Sequence, residues 1–435
     1  MGTSGVLRKP LWLVLISSLC TVGMWVYVRQ VLIPHQKADA ALHGRPRGNL
    51  SDLYPRWLGA RELLLHGRNP YSAEITREIQ HGYYGRALDP SRPEDPTDQQ
   101  AFAYPVYITF YLAPTVRLPF DVVAKVFFWI LLGLTAACVP LWLRVLGWPL
   151  PLWVQVCVVA LALGSFVVLQ GLKLQQMTLL VVALMALAMA LLVGGHAIST
   201  GILLALATIK PQLVCPLLFW LGIWTLADWK RRYRWVVSFL ITMAILFAAS
   251  ELLLPHWLAR FWQAVREYQA YTGAMPLPDK LIPRPWSTLF EIAIGLGTIY
   301  VCWKNRKHDG RTPEFAVTVC LVLSVTLLVI PTYALYNQVL LLPALLLLAR
   351  ERQTIRERSR AGSVLLLVVA FFLSWQWLAS TVLAVAYLLI SPEVVQKAWA
   401  FPTLTAFTLP ISVAGLMLLV AIRGTFNTSG SRVTA

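Results

Sequence analysis

The stretch ISTGILLALATIKPQLVCPLLFWLGIWTLADWKRRYR, residues 198–234, decides the class of the fold. It contains two apolar pieces that are broken once, at Lys210-Pro211, and it ends in a basic run at residues 230–234. A membrane span needs roughly 20 mostly apolar residues. The two pieces therefore predict a helical hairpin or two short spans, and either arrangement returns the chain to the side on which it started.

The overall composition agrees with a membrane protein. Of the 435 residues, 58% are hydrophobic and only 13% are charged, whereas a soluble domain is about half apolar and about a quarter charged. A soluble enzyme, a disordered chain and a fibrous repeat are therefore excluded. The six cysteines lie within or at the ends of apolar runs and show no spacing typical of a disulfide framework or a CxxC metal site.

Apolar runs recur along the whole chain and predict about twelve spans. The first covers residues 11–33; a signal peptide is the alternative, but the run is too long for an h-region of about 7–15 residues. The other single spans are predicted at 122–145, 152–169, 177–193, 235–254, 286–303, 315–330, 336–348, 364–390 and 404–422. The sequence thus predicts an all-α polytopic membrane protein with one transmembrane domain, residues 1–435.

Basic residues in three short loops set the predicted orientation. Thirteen of the 37 lysines and arginines lie in residues 230–234, 304–311 and 350–360. The positive-inside rule makes these loops cytoplasmic, together with both termini, where Arg8, Lys9 and Arg423 lie. Segments 34–120 and 255–285 are then extracytoplasmic. We expect a multi-pass protein of the bacterial cell (inner) membrane.

The long first outer loop, residues 34–120, has an uneven pattern. Residues 52–66 place apolar side chains on one helical face, which predicts an amphipathic helix on the membrane surface. Residues 89–98, DPSRPEDPTD, predict a mobile loop. Residues 101–116 are aromatic and apolar but are punctuated by prolines, and both of their ends must lie outside. They therefore predict a re-entrant or interfacial segment.

Motifs of soluble enzymes are absent: the sequence has no GxxxxGK[ST], GxGxxG, HExxH or DxD. Nucleotide-dependent phosphate chemistry and zinc hydrolysis have no support, and no motif requires a metal or another cofactor. Of the 20 acidic residues, five belong to the predicted cytoplasmic side and the remaining 15 lie in outer loops or near outer ends of spans. Acid–base chemistry is therefore expected to face outward.

Asp52 is the first candidate catalytic residue. It opens the predicted amphipathic helix at the lipid–water boundary, where its carboxylate could take a proton from a hydroxyl that arrives from the aqueous side. Aspartate is also a common N-cap, and Pro55 suits the first helical turn. A purely structural role at the helix start is therefore the simpler explanation.

Lys210 is the second candidate, because an intramembrane cation is costly unless it faces a cavity or a partner. It could meet a lipid-linked phosphate, or it could snorkel from a helix end that Pro211 independently indicates. Lys173 and Gln176 lie in a polar turn between two spans, and this turn could simply be solvated. Arg284, in the second outer loop, could bind phosphate or remain a solvated charge.

Several short segments, taken in order, resemble glycosyltransferase family 87 over about residues 10–350. The segments that carry the resemblance are Asp52-Leu53-Tyr54, Ala60-Arg61, Gly67-Arg68-Asn69-Pro70-Tyr71, Phe102-Ala103-Tyr104-Pro105, Ala113-Pro114, Leu118-Pro119, Gln176 with Leu179-Leu180, Gly201 with Lys210-Pro211, and Pro331 with Tyr336 and Leu341-Leu342-Pro343-Ala344. The chain departs from the family pattern at three positions. Gln175 replaces a glycine, Thr178 an asparagine and Ile330 a serine.

The resemblance implies a GT-C-like bundle of about 12 helices and the transfer of a sugar from a polyprenyl-phosphate donor to a lipid or glycan acceptor, with inversion. Asp52 would be the general base. Lys210 would bind the donor phosphate, with Lys173 and Arg284 as weaker candidates. The resemblance places the following residues at the substrates: Tyr71, Tyr104, Gln176 and Tyr336. The implied partners are the donor, the acceptor and membrane lipids, without nucleic acid, metal or cofactor.

Two other functions are compatible with a polytopic chain. A transporter or lipid-linked sugar flippase typically shows internal repeats and mid-membrane polar residues in several spans, and neither pattern is evident here. An oligosaccharide ligase or polymerase normally has its long outer loop late in the chain, whereas here the long loop comes first. Mannose is the sugar that the family resemblance suggests, and another hexose or a pentose is equally compatible with these residues.

Overall fold

The structure is a computed structural model, and it describes residues 11–47, 50–89, 91–273, 275–331 and 333–424. Within these ranges the chain forms helices and turns, and no described residue lies in a β-strand. The predicted all-α fold class is confirmed. Arg8, Lys9 and the residues after 424, which the sequence predicts to be cytoplasmic, lie outside the described residues, as does Pro90 of the predicted loop 89–98.

Twenty α-helices cover most of the described chain. In order they are α1 (Leu11–Tyr27), α2 (Ile33–Leu42), α3 (Leu53–His66), α4 (Ala73–Tyr84), α5 (Ile108–Leu112), α6 (Phe120–Val145), α7 (Leu152–Leu163), α8 (Phe166–Lys173), α9 (Met177–Val193), α10 (Ala197–Ala207), α11 (Pro211–Leu226), α12 (Trp229–Leu253), α13 (Trp257–Thr272), α14 (Trp286–Asn305), α15 (Pro313–Val329), α16 (Leu342–Arg350), α17 (Arg352–Arg358), α18 (Arg360–Leu389), α19 (Pro392–Lys397) and α20 (Thr408–Arg423). A π-helical turn, Val28–Leu32, joins α1 to α2. Short 3₁₀ helices cover Ala113–Thr115, Pro278–Lys280, Leu335–Leu341 and Phe401–Thr403.

Six helical segments in the described chain are long and apolar enough to cross a membrane, as is consistent with a polytopic membrane protein. They are Leu11–Leu42, Phe120–Val145, Trp229–Leu253, Trp286–Asn305, Arg360–Leu389 and Pro392–Arg423. Helices α7 and α8 are bent by 62° at their junction and add a seventh if they form one broken span. The other predicted spans form apolar helices of only 10–17 residues, so the count of about twelve stays a prediction.

Glycines allow two of the helix pairs to pack closely. A Cβ added to Gly201 in α10 would lie 2.1 Å from the Trp235 carbonyl oxygen of α12, and one added to Gly23 in α1 would lie 2.6 Å from Thr381 Oγ1 of α18. Small residues at the interface are the usual way in which membrane helices approach each other. The region after residue 350 carries no recognisable motif, but through α18 it packs against the first helix of the bundle.

Helix α3 confirms the helix predicted at residues 52–66, but its apolar face packs on protein. Leu53, Trp57 and Ala60 are at most 4% exposed, and α3 contacts α4, α5 and α6. The indole nitrogen of Trp57 donates to the Thr115 carbonyl oxygen at 3.2 Å. The expectation that this face lies on the membrane surface is therefore wrong, because helical spacing does not distinguish a lipid-facing stripe from one that neighbouring elements cover.

The segment 101–116 does not form a span; its α-helix, α5, is only five residues long. Two tyrosines join the segment to the end of α10. Tyr107 Oη donates to the Thr208 carbonyl oxygen at 2.9 Å, and Tyr111 Oη donates to that of Leu206, also at 2.9 Å. The first outer loop is thereby fixed beside the break between α10 and α11, where Lys210 lies.

Candidate active site

Asp52 does not cap the helix that it precedes. Its backbone is helical and its side chain makes no capping hydrogen bond. Instead, the Ser51 hydroxyl accepts a hydrogen bond from the Leu53 amide at 3.0 Å and donates to the Leu174 carbonyl oxygen at 3.0 Å. Ser51 therefore supplies the N-terminal hydrogen bond of α3 and ties it to the turn before α9. The Asp52 carboxylate is left for other contacts.

Two uncharged side chains hold the Asp52 carboxylate. Tyr83 Oη, from α4, donates to Asp52 Oδ1 at 3.1 Å. Gln176 Nε2, from the turn between α8 and α9, donates to Asp52 Oδ2. Burial and the nearby Asp52 charge raise the pKa of Tyr83 well above its usual range. Tyr83 therefore stays protonated and remains a hydrogen-bond donor to the carboxylate at neutral pH.

The Gln176 amide connects Asp52 to Lys210. Lys210 Nζ donates to Gln176 Oε1 at 2.9 Å and to Thr178 Oγ1 at 2.8 Å. Thr178 in turn donates to Asn337 Oδ1 at 3.0 Å. Lys210 is only 7% exposed, and it forms no ion pair with any residue that the structure describes. A buried ammonium group thus rests on neutral oxygens, with one of its three donors still available.

The turn that presents Gln176 requires an unusual backbone. Gln175 has a φ of +45°, in the left-handed region that favours glycine. Its side-chain amide donates to the Leu172 carbonyl oxygen at 2.8 Å and to that of Lys173 at 3.2 Å, and the Leu172 carbonyl oxygen also accepts from the Gln175 backbone amide at 3.1 Å. The family pattern has glycine at this position, and the conformation gives that preference a physical reason.

A cavity of about 360 Å³ opens beside Lys210. We call it the Lys210 cavity. Its polar walls include Arg56, Tyr104, Lys210 and Tyr336, and one side is formed by α13. Lys210 Nζ lies 5.8 Å from the centre of the Tyr104 ring and 5.2 Å from that of Tyr336. These distances are within the range of cation–π attraction, which helps to hold the ammonium group without neutralising it.

Arg56 is a site residue that the sequence analysis did not select. Its guanidinium carbon lies 4.6 Å from the centre of the Tyr104 ring, and one guanidinium nitrogen donates to the Asp52 carbonyl oxygen. Its Nε is buried without a hydrogen-bond partner among the described residues. Arg56 follows Asp52 by four residues, and in helical backbone this spacing puts two residues on the same side. The spacing was the feature of the sequence that could have indicated Arg56 as a site residue.

The remaining candidates lie at different distances from this centre. Tyr71 Oη donates to the Tyr104 carbonyl oxygen at 2.6 Å and so supports the cavity wall. Lys173 donates to Gln36 Oε1 rather than to Asp52 or Gln176. Arg284 is 73% exposed and pairs with Asp279, and it does not line the Lys210 cavity. The structure therefore brings Asp52, Gln176, Lys210, Tyr104 and Tyr336 together and leaves Arg284 outside.

Asp98 is a second carboxylate that the sequence analysis passed over. Burial raises its pKa above the usual range and the Asp52 charge adds to the rise, whereas the Gln100 amide, 2.9 Å away, opposes it. The segment around it, for which the sequence predicts a mobile loop, makes contacts with α4 and the residues after it: Arg86 pairs with Asp95, and Tyr84 Oη donates to the Asp98 carbonyl oxygen at 2.9 Å. Among the described residues no group of three or more acids, histidines or cysteines is arranged to hold a metal ion.

A protein-family model with the description "Glycosyltransferase family 87" matches residues 102–331, slightly more than half of the chain. The matched region contains most of the candidate residues, including Tyr104, Gln176 and Lys210. Asp52 precedes the region and Tyr336 follows it. In the structure both of them contact residues of the matched region. No curated protein and no solved structure matches the chain.

Proposed function

Since the chain belongs to glycosyltransferase family 87, we propose that it moves a sugar from a polyprenyl-phosphate donor to a lipid or glycan acceptor at the extracytoplasmic face, with inversion. Membership of the family makes the protein a glycosyltransferase. The donor, the side of the membrane and the roles of individual residues are the proposed parts. The bacterial inner membrane is the proposed location, with both termini cytoplasmic.

The observation that carries the proposal is the environment of Lys210. A cation that is 7% exposed, lacks an ion-pair partner in the described chain and lines a cavity of about 360 Å³ is costly without an anionic ligand. A lipid-linked phosphate is such a ligand. Its oxygens would accept hydrogen bonds from the remaining Lys210 donor and from the Arg56 guanidinium, and charge-assisted bonds of this kind are the strong ones.

The rim of the same cavity suits a donor with a lipid tail. Trp262 of α13 lines the Lys210 cavity and is 56% exposed, and Phe261 and Val265 extend the apolar surface beside it. An exposed aromatic side chain next to an apolar face is typical of a membrane–water interface. The polyprenyl chain would leave along this surface while the phosphate stays at Lys210 and Arg56.

Asp52 is the proposed general base. The acceptor hydroxyl attacks the anomeric carbon while the bond between that carbon and the phosphate oxygen breaks. The proton passes to the Asp52 carboxylate, and polyprenyl phosphate leaves with the bonding electron pair. Proton transfer to a positioned base contributes about 10²–10⁴-fold to the rate. Lys210 and Arg56 stabilise the charge that develops on the leaving phosphate, and Tyr83 and Gln176 keep the carboxylate oriented.

Donor use tests this proposal directly. Purified protein in lipid nanodiscs is incubated with radiolabelled mannosyl, glucosyl and arabinosyl phosphopolyprenol and with a lipid and glycan extract of the cell envelope as acceptor, and transfer of label from the donor lipid to this extract is measured. We expect turnover of one donor. Lys210→Met should raise the donor KM by at least about tenfold, because a phosphate contact worth about 1.4 kcal/mol or more is lost. Lys397→Met, at an exposed lysine of α19, is the matched control.

Two results would contradict the proposal. The first is no turnover of any of these donors by folded wild-type protein. The second is a normal donor KM in Lys210→Met, which would support a lysine that merely snorkels from a helix end. The anomeric configuration of the product, measured by NMR, tests the inverting course separately.

A further inference from the structure

A second cavity lies at the other end of the helices that carry Lys210. Gln176 precedes α9, and Lys210 lies between α10 and α11, so one end of each of these helices is at the candidate active site. Residues near the opposite ends, namely Val193, Ala197 and Trp224, line a cavity of about 380 Å³. The 17 residues of α9 span about 25 Å, close to the thickness of a hydrocarbon core of about 30 Å. The two cavities therefore lie towards opposite faces of the membrane.

Four basic side chains and two carboxylates line this second cavity, which we call the basic cavity. The charged lining residues are Asp228, Arg231, Arg232, Lys307, Asp309 and Arg311. Lys307 and Arg311 form no ion pair with a residue that the structure describes. The Arg231 side chain is 87% exposed and its Nε lies 3.9 Å from Asp228 Oδ2, so this pair compensates little charge. The lining therefore has an excess of positive charge that an anionic ligand would neutralise.

Hydrogen bonds to the backbone hold the walls of the basic cavity together. One terminal nitrogen of Arg232 donates to the Trp224 carbonyl oxygen at 2.6 Å, and the other donates to that of His308 at 3.1 Å. The Trp224 indole nitrogen also donates to the His308 carbonyl oxygen, at 2.9 Å. Arg311 Nε donates to the Val193 carbonyl oxygen at 3.0 Å. Parts of α9, α11, α12 and the loop before α15 are thereby fixed around one cavity.

We propose that the basic cavity binds the phosphate group of an anionic phospholipid in the leaflet on that side, which the positive-inside rule predicts to be cytoplasmic. Phosphate oxygens accept hydrogen bonds from guanidinium and ammonium groups, and such charge-assisted bonds are the strong ones. Basic cavities between membrane helices on the cytoplasmic side are typical sites for lipid headgroups. The site is separate from Asp52 and does not depend on the proposed transferase function.

Apolar side chains beside the basic cavity favour a lipid over a soluble phosphate. Leu226 and Trp229 lie on either side of Asp228 in sequence and are 74% and 49% exposed. Ile198, which follows Ala197 of the lining, is also exposed. Exposed aromatic side chains next to basic groups are typical of a membrane–water interface. A phosphate that carries acyl chains can use both surfaces, whereas a soluble phosphate contacts only the charged one.

Two double variants test the proposal in the full-length protein, purified in detergent. Arg231→Gln with Lys307→Gln removes two lining charges whose side chains donate no hydrogen bond within the described chain. Lys230→Gln with Arg234→Gln is the matched control, because both residues are exposed in α12 and neither lines the basic cavity. The control thus removes the same charge from the same face of the protein.

Native mass spectrometry measures the binding of three probes: phosphatidylglycerol, phosphatidylcholine with the same acyl chains, and glycerophosphoglycerol, which is the anionic headgroup without chains. The wild type should bind phosphatidylglycerol at least about tenfold more tightly than phosphatidylcholine. The control variant should keep this preference, and Arg231→Gln with Lys307→Gln should lose it. Thermal unfolding without added lipid should give the same midpoint for all three proteins. Added phosphatidylglycerol should raise the midpoint of the wild type and the control only.

Three results would overturn the proposal. The first is equal binding of the two phospholipids by the wild type. The second is the same preference in both double variants, whether kept or lost, because the basic residues would then act only through their overall charge. The third is binding of glycerophosphoglycerol as tight as that of phosphatidylglycerol, which would assign the basic cavity to a soluble phosphate ester.

Discussion

Asp52 is held by side chains that lie far from it in sequence. Tyr83 is 31 residues away and Gln176 is 124 residues away. The sequence singled out Asp52 from its place at the start of a helix, but the same place also predicted a capping role. Only the fold separates the two, because Ser51 takes over the capping hydrogen bond and frees the carboxylate.

Asp98 is predicted to lower the stability of the protein. Because burial raises its pKa, the ionised form is disfavoured in the folded state. Stability therefore falls as the pH rises from the ordinary Asp value of about 3.9 through the raised pKa, and the loss persists above it. Asp98→Asn should add on the order of 1 kcal/mol to the free energy of unfolding at pH 7 and nothing at pH 3, as measured by thermal unfolding in detergent.

Asp89→Asn is the control for this prediction. The Ser91 hydroxyl and amide lower the pKa of Asp89, so the same substitution there should leave stability unchanged or slightly reduced at pH 7. A destabilised Asp98→Asn variant at pH 7 would show that the ionised carboxylate makes a favourable contact and would overturn the sign of the effect.

At the scale of elements, residues 89–98 show what composition predicts and what it omits. Prolines and aspartates predict a mobile loop, and residues 89 and 91–98 contain no helix or strand. They do not reveal that Arg86, just after α4, donates to Asp95 Oδ2 at 2.8 Å, or that the Asp89 amide donates to the same oxygen at 2.9 Å. The ion pair fixes the loop next to Tyr83 and Tyr84, because α4 places Arg86 where a loop carboxylate can reach it.

Acid should release this loop. The Arg86 hydrogen bond lowers the pKa of Asp95 to about 2, below the unfolded value of about 3.9. The stabilisation is therefore complete above about pH 4 and is lost as the pH falls through about 2. A nitroxide label on Thr97→Cys, an exposed position, should become more mobile over that range in electron paramagnetic resonance spectra. An Asp95→Asn variant should be mobile already at pH 7, and a loop with the same mobility at pH 7 and pH 2 would contradict the prediction.

The whole molecule combines parts that the sequence predicted to different degrees. The apolar runs gave the membrane class, and the Lys210-Pro211 break appears where α10 ends and α11 begins. The span count was less predictable, because short apolar helices and the α7–α8 bend interrupt the pattern. The Lys210 cavity could not be predicted, since its lining comes from residues 56–105, 209–212, 261–269 and 331–337, and hydropathy does not report which segments meet.

Topology is a prediction for the whole molecule. Residues 34–120 are expected outside and residues 304–311 inside. In a variant whose exposed Cys215 is replaced by serine, a membrane-impermeant maleimide should label Thr97→Cys in spheroplasts. It should label Lys307→Cys only after the membrane is opened. The reverse pattern would place Asp52 on the cytoplasmic side and contradict the proposed site of transfer.

The central claim is that Asp52 is the base for sugar transfer, and its most direct measurement is the turnover of purified Asp52→Asn protein with the labelled donor and the cell-envelope extract as acceptor. Asparagine retains an acceptor for Gln176 and a donor for the Tyr83 oxygen, so the fold should be unchanged. With Lys210 intact, the donor KM should stay near the wild-type value while kcat falls by about 10²–10⁴-fold. A folded Asp52→Asn protein with wild-type kcat would contradict the claim.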